Sequence, residues 1–409
     1  MRAILTNLGS TGDVWPFIAL AAELRRHGHE PILALSPNFA GLAKQHGLAF
    51  APIGQELELE KLRDMAADIL TARNSAAQTR PLLVSALQGL PEMFRELRDL
   101  SHDADVMICG TAQPAGRMVH ETLGIPFVSI HTVSFAVWGT TALRQSVAPV
   151  INAYRVREGL PPLRDPIVAD AHSPQLAIHA VSRYVLRRPA DWPSHYHVTG
   201  YFYLDDADDW QPPADLVEFF AAGEPPVVIG FGSAMHHDPA ALTNLVLEAI
   251  RRAGCRAILQ QGWSGLGERE IPENVHIIGF APHSWLFPRA ACVVHHGATG
   301  TTGATFRAGV PGVYVPHAYE HPLNAEVARQ LGCAGPAIPY ARLTAERLGS
   351  AIAATLANPS YRQAAAALGE QVRAEQGVQA ARQLIEQLLA EAAVAQPRAA
   401  SQISLNSIG

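Results

Sequence analysis

The sequence predicts an α/β protein of two domains, each built on a parallel β-sheet. Residues 3–35 run through a strand, a glycine-rich turn, an apolar helix from Pro16 and a second strand. The same order restarts at residue 227 and continues to 260. Each order is a βαβ unit, whose right-handed crossover makes its two strands parallel. A length of 409 residues also suits two domains.

Short apolar runs bounded by Gly or Pro predict the remaining buried strands. These runs are 105–109, 126–131, 276–280, 292–295 and 312–315. Apolar residues at helical spacing predict helices between 57 and 100 and two long closing helices, over 344–356 and 359–393. The chain therefore alternates strands and helices in both halves, as doubly wound sheets do.

The boundary between the two units is a polar, proline-rich segment. Residues 204–226 include the run Asp-Asp-Ala-Asp-Asp and two Pro-Pro pairs. Such a composition is typical of a surface linker. We expect the last helix to pack back on the first domain. The expected division is an N-terminal Rossmann-like domain over 1–210, a linker over 211–226, a C-terminal Rossmann-like domain over 227–393 and a frayed tail over 394–409.

Composition narrows the class of partner and the compartment. The chain is 48% hydrophobic and 17% charged, with a net charge of −6 and no basic block, so nucleic acid is not an expected partner. The four cysteines show no CxxC spacing, which argues against a disulfide framework or a zinc site. Neither a signal peptide nor an 18-residue apolar run is present. We expect a cytoplasmic protein without a transmembrane segment.

The most informative segment is His295-His296-Gly297-Ala298-Thr299-Gly300-Thr301-Thr302. Here a buried strand ends in a turn rich in Gly and Thr, and a helix begins directly afterwards. Free backbone N–H groups and the positive end of the helix dipole point outward at such a start, so a phosphate can bind there. A capped helix with a core histidine is the alternative, because turns of this kind occur in any parallel sheet.

A polar cluster follows the next strand. His317-Ala318-Tyr319-Glu320-His321-Pro322 lies directly after the strand that ends near residue 316, at the edge where open α/β sheets bind ligands. An acid beside a hydrogen-bonding group suits vicinal sugar hydroxyls. Taken alone, Glu320 and His321 also fit an ordinary loop pair.

These segments resemble a known family. Residues 279–288, 295–302, 307–311 and 315–316 closely resemble the donor-binding signature of family 1 glycosyltransferases with the GT-B fold. The run Pro-His-Ser-Trp-Leu-Phe-Pro is most similar to the sterol glucosyltransferase branch. The Gly-Ser-Thr-Gly-Asp turn at 9–13 is shared with that branch and with bacterial antibiotic-modifying enzymes. The resemblance spans nearly the whole chain, and is strongest over 223–335 and 1–30.

The resemblance implies two Rossmann-like domains that face each other across a cleft. The N-terminal domain, over 1–210, would bind the acceptor, and the C-terminal domain, over 227–393, would bind the nucleotide sugar. It implies a metal-independent, inverting transfer of a hexose from a UDP- or TDP-sugar to a hydroxyl of a hydrophobic small molecule, such as a sterol, polyketide or other natural-product aglycone. The nucleotide sugar is a co-substrate, and no cofactor is implied. No oligomeric state follows from it.

The family's donor contacts carry over position by position. Phe280 and His283 would lie against the base and ribose, His296, Gly297, Gly300 and Thr301 would hold the diphosphate, Ser233 would touch it from the opposite loop, and Glu320 and His321 would read the sugar hydroxyls. Two departures stand out. Glu-His replaces the usual Asp-Gln at 320–321, and Ala-Thr replaces the usual Gly-Ala at 298–299.

The resemblance also implies that Asp13 is the catalytic base, with Ser10 and Thr11 positioning the acceptor. An N-cap for the helix from Pro16 is the alternative for this aspartate. An exposed Asp is a weak base, so the role requires partial burial that raises its pKa. Phe135 and Trp138 lie in an apolar stretch that suits an acceptor pocket, although core packing is the favoured explanation for either residue taken singly.

Two other functions remain open from the sequence. One is a nucleotide-sugar epimerase of the same fold, and the other is a non-catalytic nucleotide-sugar-binding accessory protein. Two Asp-x-Asp strings, at 103–105 and 206–208, match the metal motif of another glycosyltransferase fold, but they fit solvated charge better. We expect His236-His237-Asp238 to be a solvated helix entry rather than a metal site.

Overall fold

The computed structural model is the basis of the description that follows. It describes residues 1–56, 87–110, 112–132, 141–167, 169–204, 210–232, 234, 236, 238–267 and 270–395. None of the helices in these ranges is both long and apolar enough to cross a membrane.

The first half of the chain forms a seven-stranded sheet in which all neighbouring strands are parallel. Its strands are β1 (Arg2–Thr6), β2 (Glu30–Leu35), β3 (Ala49–Pro52), β4 (Val106–Gly110), β5 (Phe127–His131), β6 (Leu176–His179) and β7 (Tyr196–Val198). They lie in the order β3-β2-β1-β4-β5-β6-β7. The order reverses beside β1, and such a switch point leaves a crevice at the carboxyl ends of the strands.

The second half forms a five-stranded parallel sheet. Its strands are β8 (Val227–Gly230), β9 (Ala257–Gln260), β10 (Val275–Ile278), β11 (Val293–His295) and β12 (Gly312–Tyr314). They lie in the order β10-β9-β8-β11-β12. The switch point therefore falls between β8 and β11, and the predicted phosphate turn follows β11. The predicted fold class, two Rossmann-like parallel-sheet domains, is confirmed.

Helices cover both sheets. In the first half they are α1 (Thr11–Arg26), α2 (Ala40–Gln45), α3 (Leu90–Leu100), α4 (Pro114–Leu123) and α5 (Thr141–Arg157). In the second they are α6 (Ala214–Ala221), α7 (Pro239–Ala253), α8 (His283–Leu286), α9 (Thr299–Ala308), α10 (His321–Gln330), α11 (Ala345–Ala357), α12 (Pro359–Arg373) and α13 (Gly377–Ala395).

Three expectations about helices need correction. α1 begins at Thr11, five residues before the expected start, and contains Pro16 inside the helix, where proline removes one backbone hydrogen bond without ending the helix. The single helix expected over 359–393 is two helices, α12 and α13. The helix α6 lies inside the segment expected to be a linker. Residues 57–86, for which helices were also predicted, lie outside the described part.

The last helix packs against the first sheet. Val378, Ala381 and Ile385 of α13 are buried in the same core cluster as Leu5 and Ile18. Alternation along β1 explains the two cores of this half, because Leu5 faces α1 and α13 while Ile4 packs on the opposite face.

The two halves also meet directly beside the second switch point. The Tyr203 hydroxyl donates to the Gly303 carbonyl of α9 at 2.7 Å. An ideal Cβ placed on Gly303 would lie 2.9 Å from the Tyr201 ring. This close approach explains why the middle of α9 carries a glycine despite its low helix propensity. The segment before the linker therefore fixes the position of α9.

Candidate active site

The turn after β1 is closed by an acidic residue of its own helix. Ser10 occupies the N-cap position of α1, and Asp13 is the third residue of the helix. The Ser10 backbone N–H and hydroxyl both donate to Asp13 Oδ2, at 2.7 and 3.0 Å. Gly9 has φ +135°, and a Cβ there would lie 2.4 Å from Asp13 Oδ2. The proposal that Asp13 is itself the N-cap of a helix from Pro16 is therefore wrong.

The environment of Asp13 suits a base. Burial is the largest influence on this carboxyl and raises its pKa to about 6, against the Ser10 backbone hydrogen bond, which lowers it. The negative charge of Glu320 raises it further. A carboxylate with a pKa near the working pH is suited to general base catalysis. Thr11 is partly exposed beside it at the first position of α1.

Asn7 is a residue of this turn that the sequence did not reveal. Its side chain is buried, and its Nδ2 donates to the Asp13 backbone carbonyl at 2.8 Å. A polar residue directly after a buried strand was the available signal, although that signal alone does not identify the partner.

The turn after β11 has no capping side chain of its own. α9 begins at Thr299, and its N-cap residue is Ala298. Glu320, from the loop after β12, supplies the missing acceptor: its Oε1 accepts from the Thr299 N–H at 3.3 Å and from the Thr299 hydroxyl at 3.4 Å. An anionic group therefore already lies on the N-terminus where the sequence predicts a phosphate. Gly300 next to it faces open space.

Gly297 and Asn324 complete the turn. Gly297 has φ +96°, and a Cβ there would lie 3.0 Å from the His321 carbonyl oxygen. A side chain at this position is thus excluded twice, by conformation and by space. Asn324, which sequence reasoning missed, is buried and donates to the Gly297 carbonyl at 2.8 Å and to the Thr299 hydroxyl at 3.1 Å.

His296 is enclosed by other histidines. It is 4% exposed, and its ring centroid lies 4.8 Å from that of His321. Burial, followed by the charges of His321 and His317, lowers the pKa of His296 well below its usual value. The imidazole is therefore neutral near pH 7 and acts as a hydrogen-bonding group rather than a cation. A Cβ on Gly232, in the loop after β8, would lie 3.0 Å from this ring.

His321 is also neutral, with a defined tautomer. Its Nδ1 accepts from the backbone N–H groups of His317 and Ala318 at 3.4 and 3.3 Å. Nε2 consequently carries the ring proton. Burial lowers the pKa of His321 to about 3. A neutral imidazole in this position offers one N–H donor, whereas a glutamine would offer both an acceptor and a donor.

The loop after β10 presents the aromatic residue predicted to contact the base. Phe280 is 63% exposed, which is unusual for phenylalanine and suits a stacking platform. The neighbouring His283 stacks on Phe287, with centroids 4.2 Å apart and an interplanar angle of 16°. Burial lowers the pKa of His283 to about 4.

Some of the residues singled out in the sequence lie in another environment than expected or outside the described residues. Ser233, Phe135 and Trp138 lie outside the described residues, so their roles stay predictions. His236 is buried rather than solvated, which contradicts the expected solvated helix entry. Asp238 caps α7 by accepting from the Ala241 N–H at 2.8 Å. Within the described ranges, no group of three His, Cys, Asp or Glu side chains is arranged to hold a metal ion.

The polar residues of the candidate site therefore belong to two turns, one in each half of the chain. Asp13 lies at the start of α1 in the first half, and Glu320 lies on the start of α9 in the second. The two carboxylates are close enough for the charge of Glu320 to raise the pKa of Asp13. Asp13 and the N-terminus of α9 thus lie near each other.

Two family models match the chain. Residues 3–139 match the model described as the glycosyltransferase family 28 N-terminal domain. Residues 246–388 match the model described as the erythromycin biosynthesis protein CIII-like C-terminal domain. The first covers the turn with Asp13, and the second covers the turn after β11.

Individual relatives match over most of the chain. It is 32% identical to the O-mycaminosyltylonolide 6-deoxyallosyltransferase of Streptomyces fradiae, over 95% of this chain and 97% of that protein. It is 30% identical to the sterol 3-beta-glucosyltransferase UGT80A2 of Arabidopsis thaliana, over 92% of this chain and 64% of that protein. The crystal structure of the Streptomyces sp. SF2575 glycosyltransferase SsfS6, complexed with thymidine diphosphate, is similar in fold, with a TM-score of 0.68 at 22% identity over 95% of this chain and all of that one.

Proposed function

The chain belongs to the family 1 glycosyltransferases with the GT-B fold, and we propose that it transfers a hexose from a UDP- or TDP-sugar to a hydroxyl of an apolar natural product. The family models and the relatives confirm the family resemblance of the sequence. They also confirm the expected enzyme class, a nucleotide-sugar-dependent glycosyltransferase. The donor, acceptor and residue roles given below are parts of the proposal.

The observation that carries the proposal is the pairing of the two turns. The diphosphate binds at the N-terminus of α9, where Thr299, Gly300 and Thr301 offer backbone N–H groups and His296 offers a neutral imidazole. Phosphate replaces the Glu320 carboxylate there, and Glu320 becomes available to the sugar hydroxyls. Thymidine diphosphate bound to the SsfS6 structure supports a nucleoside diphosphate as the ligand class.

Asp13 removes the proton of the acceptor hydroxyl. The acceptor oxygen forms a bond to the anomeric carbon while the bond from that carbon to the diphosphate oxygen breaks. The acceptor proton goes to Asp13, and the nucleoside diphosphate leaves with its negative charge held by the α9 N-terminus. Attack opposite to the leaving group inverts the anomeric configuration. No metal or cofactor takes part in this scheme.

Names of the two relatives support an apolar alcohol as acceptor. One acts on a mycaminosyl derivative of tylonolide, and the other on a sterol. We propose an acceptor of this class for the present chain, bound on the first-domain side of the cleft near Ser10 and Thr11.

Transfer by the purified chain alone tests this function. UDP- and TDP-glucose are each incubated with sterols, macrolide aglycones and phenols, and products are read by mass spectrometry. We expect a hexosyl adduct on at least one apolar alcohol, formed about 10²- to 10⁴-fold more slowly by Asp13→Asn. Nucleotide-sugar epimerisation without acceptor would favour the epimerase, which the comparisons do not favour. Donor binding without transfer or hydrolysis would favour the accessory protein.

A further inference from the structure

Three segments of the second domain meet around His317, in contacts that the reaction does not explain. His317 belongs to the loop after β12, His236 to the loop after β8, and Tyr340 to a single 3-10 turn, Tyr340–Arg342. The His236 and His317 side chains are buried, and Tyr340 is partly buried. None of these three side chains has a role in the scheme above.

Their polar atoms form a chain of hydrogen bonds with one direction. His317 Nδ1 lies 2.7 Å from the Val315 carbonyl oxygen, which can only accept, so Nδ1 carries the proton. His317 Nε2 therefore accepts, and His236 Nε2, at 3.3 Å, donates to it. His236 Nδ1 then accepts from the Tyr340 hydroxyl at 2.9 Å.

This direction requires the His317 imidazole to be neutral, since a proton on its Nε2 would face the His236 N–H. Burial, followed by the charges of His236 and His321, lowers the pKa of His317 well below its usual value. The ring of His296 lies 6.1 Å away on the side of α9. On the far side, burial of the Tyr340 ring raises the pKa of its hydroxyl, and the charge of Asp238 raises it further. His317 is thus neutral and Tyr340 keeps its proton near pH 7.

The chain of hydrogen bonds holds the loop that carries Glu320. Tyr340 stacks on His317, with centroids 4.5 Å apart, and its N–H donates to the Pro316 carbonyl at 2.9 Å. Further along, Tyr319 has φ +57°, a left-handed conformation that is costly for a bulky residue. Such a conformation persists where the surrounding structure fixes it. The side chain of the next residue reaches Thr299 at the start of α9.

We propose that His236, His317 and Tyr340 are positioning residues, whose hydrogen-bonded chain holds residues 315–321 so that the Glu320 carboxylate stays in place for the donor sugar. This inference rests on the proposed function, because it assigns the sugar contact to Glu320. It adds residues that touch neither donor nor acceptor. It also ties the loop after β8 to the loop after β12, on either side of the phosphate turn.

The test compares binding of a nucleotide with binding of its sugar conjugate. Dissociation constants for TDP, TDP-glucose, UDP and UDP-glucose are measured by calorimetry for the wild type, Tyr340→Phe and His236→Phe. Tyr340→Phe removes one oxygen atom and keeps the ring that stacks on His317. The matched control is Tyr184→Phe, which makes the same change at a tyrosine that is 41% exposed in the first half.

We expect Tyr340→Phe to bind the nucleotide sugar about 3- to 10-fold more weakly, the loss expected of one internal hydrogen bond. His236→Phe, which removes two hydrogen bonds, should weaken this binding at least as much. Binding of the free nucleotide should change less than about two-fold, and Tyr184→Phe should change neither. Equal weakening of both ligands would indicate a merely structural role and overturn the proposal, as would unchanged affinities. A wild type that binds none of the four ligands would instead refute the proposed function.

Discussion

The turns after β1 and β11 each lie beside the switch point of their sheet, but their helices are capped differently. At the start of α1 the carboxylate comes from the helix itself, because Asp13 accepts from the Ser10 N–H and hydroxyl. α9 has alanine at its N-cap and takes a carboxylate from Glu320 instead. A carboxylate that belongs to the turn is held there, whereas one from another loop can yield to a phosphate. This difference supports the proposal that the first turn removes the proton and the second binds the diphosphate.

The largest effect is expected for Asp13→Asn. The amide can still accept from Ser10, but it cannot remove a proton. We expect kcat to fall by about 10²- to 10⁴-fold, the usual contribution of a general base, while the dissociation constant of TDP or UDP stays unchanged. Steady-state kinetics measures the fall in kcat, and calorimetry on the same preparation measures the dissociation constant. Turnover near that of the wild type would remove Asp13 from the mechanism.

His296→Ala should have the opposite signature. It removes a hydrogen-bonding group from the phosphate turn, and a hydrogen bond to a charged ligand contributes about 1.5–3 kcal/mol, or roughly 10- to 100-fold in affinity. Nucleoside diphosphate binding should weaken by that factor. His102→Ala, at an exposed position of the first half, is the matched control. Unaltered nucleotide affinity would contradict the phosphate role.

Ala298→Asp gives the second turn a capping carboxylate of its own. Ala298 has φ −59° and ψ 148°, the extended backbone that an N-cap side chain needs. The new carboxylate should stabilise the ligand-free protein by about 0.5–1 kcal/mol, and should weaken nucleoside diphosphate binding several-fold by competing for the same N–H groups. Thermal unfolding with and without TDP measures both effects. Ala298→Ser, an uncharged cap, should stabilise without the loss of affinity.

Glu320→Gln should give a smaller effect, a shift in the pH dependence of kcat/KM, and this shift tests whether the two turns are coupled. In the wild type, kcat/KM should rise with pH through an apparent pKa of about 6, because Asp13 must be deprotonated to act as a base. Since the charge of Glu320 raises the pKa of Asp13, its removal should move this inflection to lower pH. A pH–rate profile of both proteins checks the shift. An inflection that stays in place would mean that the two carboxylates are not coupled.

Local pattern predicted the strands, the two turns and the residues on them, because buried strands and helix starts have signatures within a few residues. Asp13, Glu320 and Gly297 were found in this way. The contacts that define the site were not predictable, because they join distant positions. Asn324 lies 27 residues from Gly297 and His317 lies 81 from His236. No periodicity in the sequence records such pairs.

The break between α12 and α13 has the same origin. The residues at 374–376 contain neither Gly nor Pro, so helical spacing continues through them. Gly377 is the visible trace of the break: a Cβ there would lie 2.5 Å from the Tyr201 carbonyl oxygen. The chain crosses another backbone segment at this point, and that tertiary contact, rather than local propensity, ends the helix.

A crystal structure of the complex with TDP or UDP tests the division between the two turns most directly. We predict phosphate oxygens within hydrogen-bond distance of the backbone N–H groups of residues 299–301, with Glu320 displaced from Thr299 and Asp13 still bonded to Ser10. A diphosphate bound away from α9, with the contacts between Glu320 and Thr299 retained, would contradict the account.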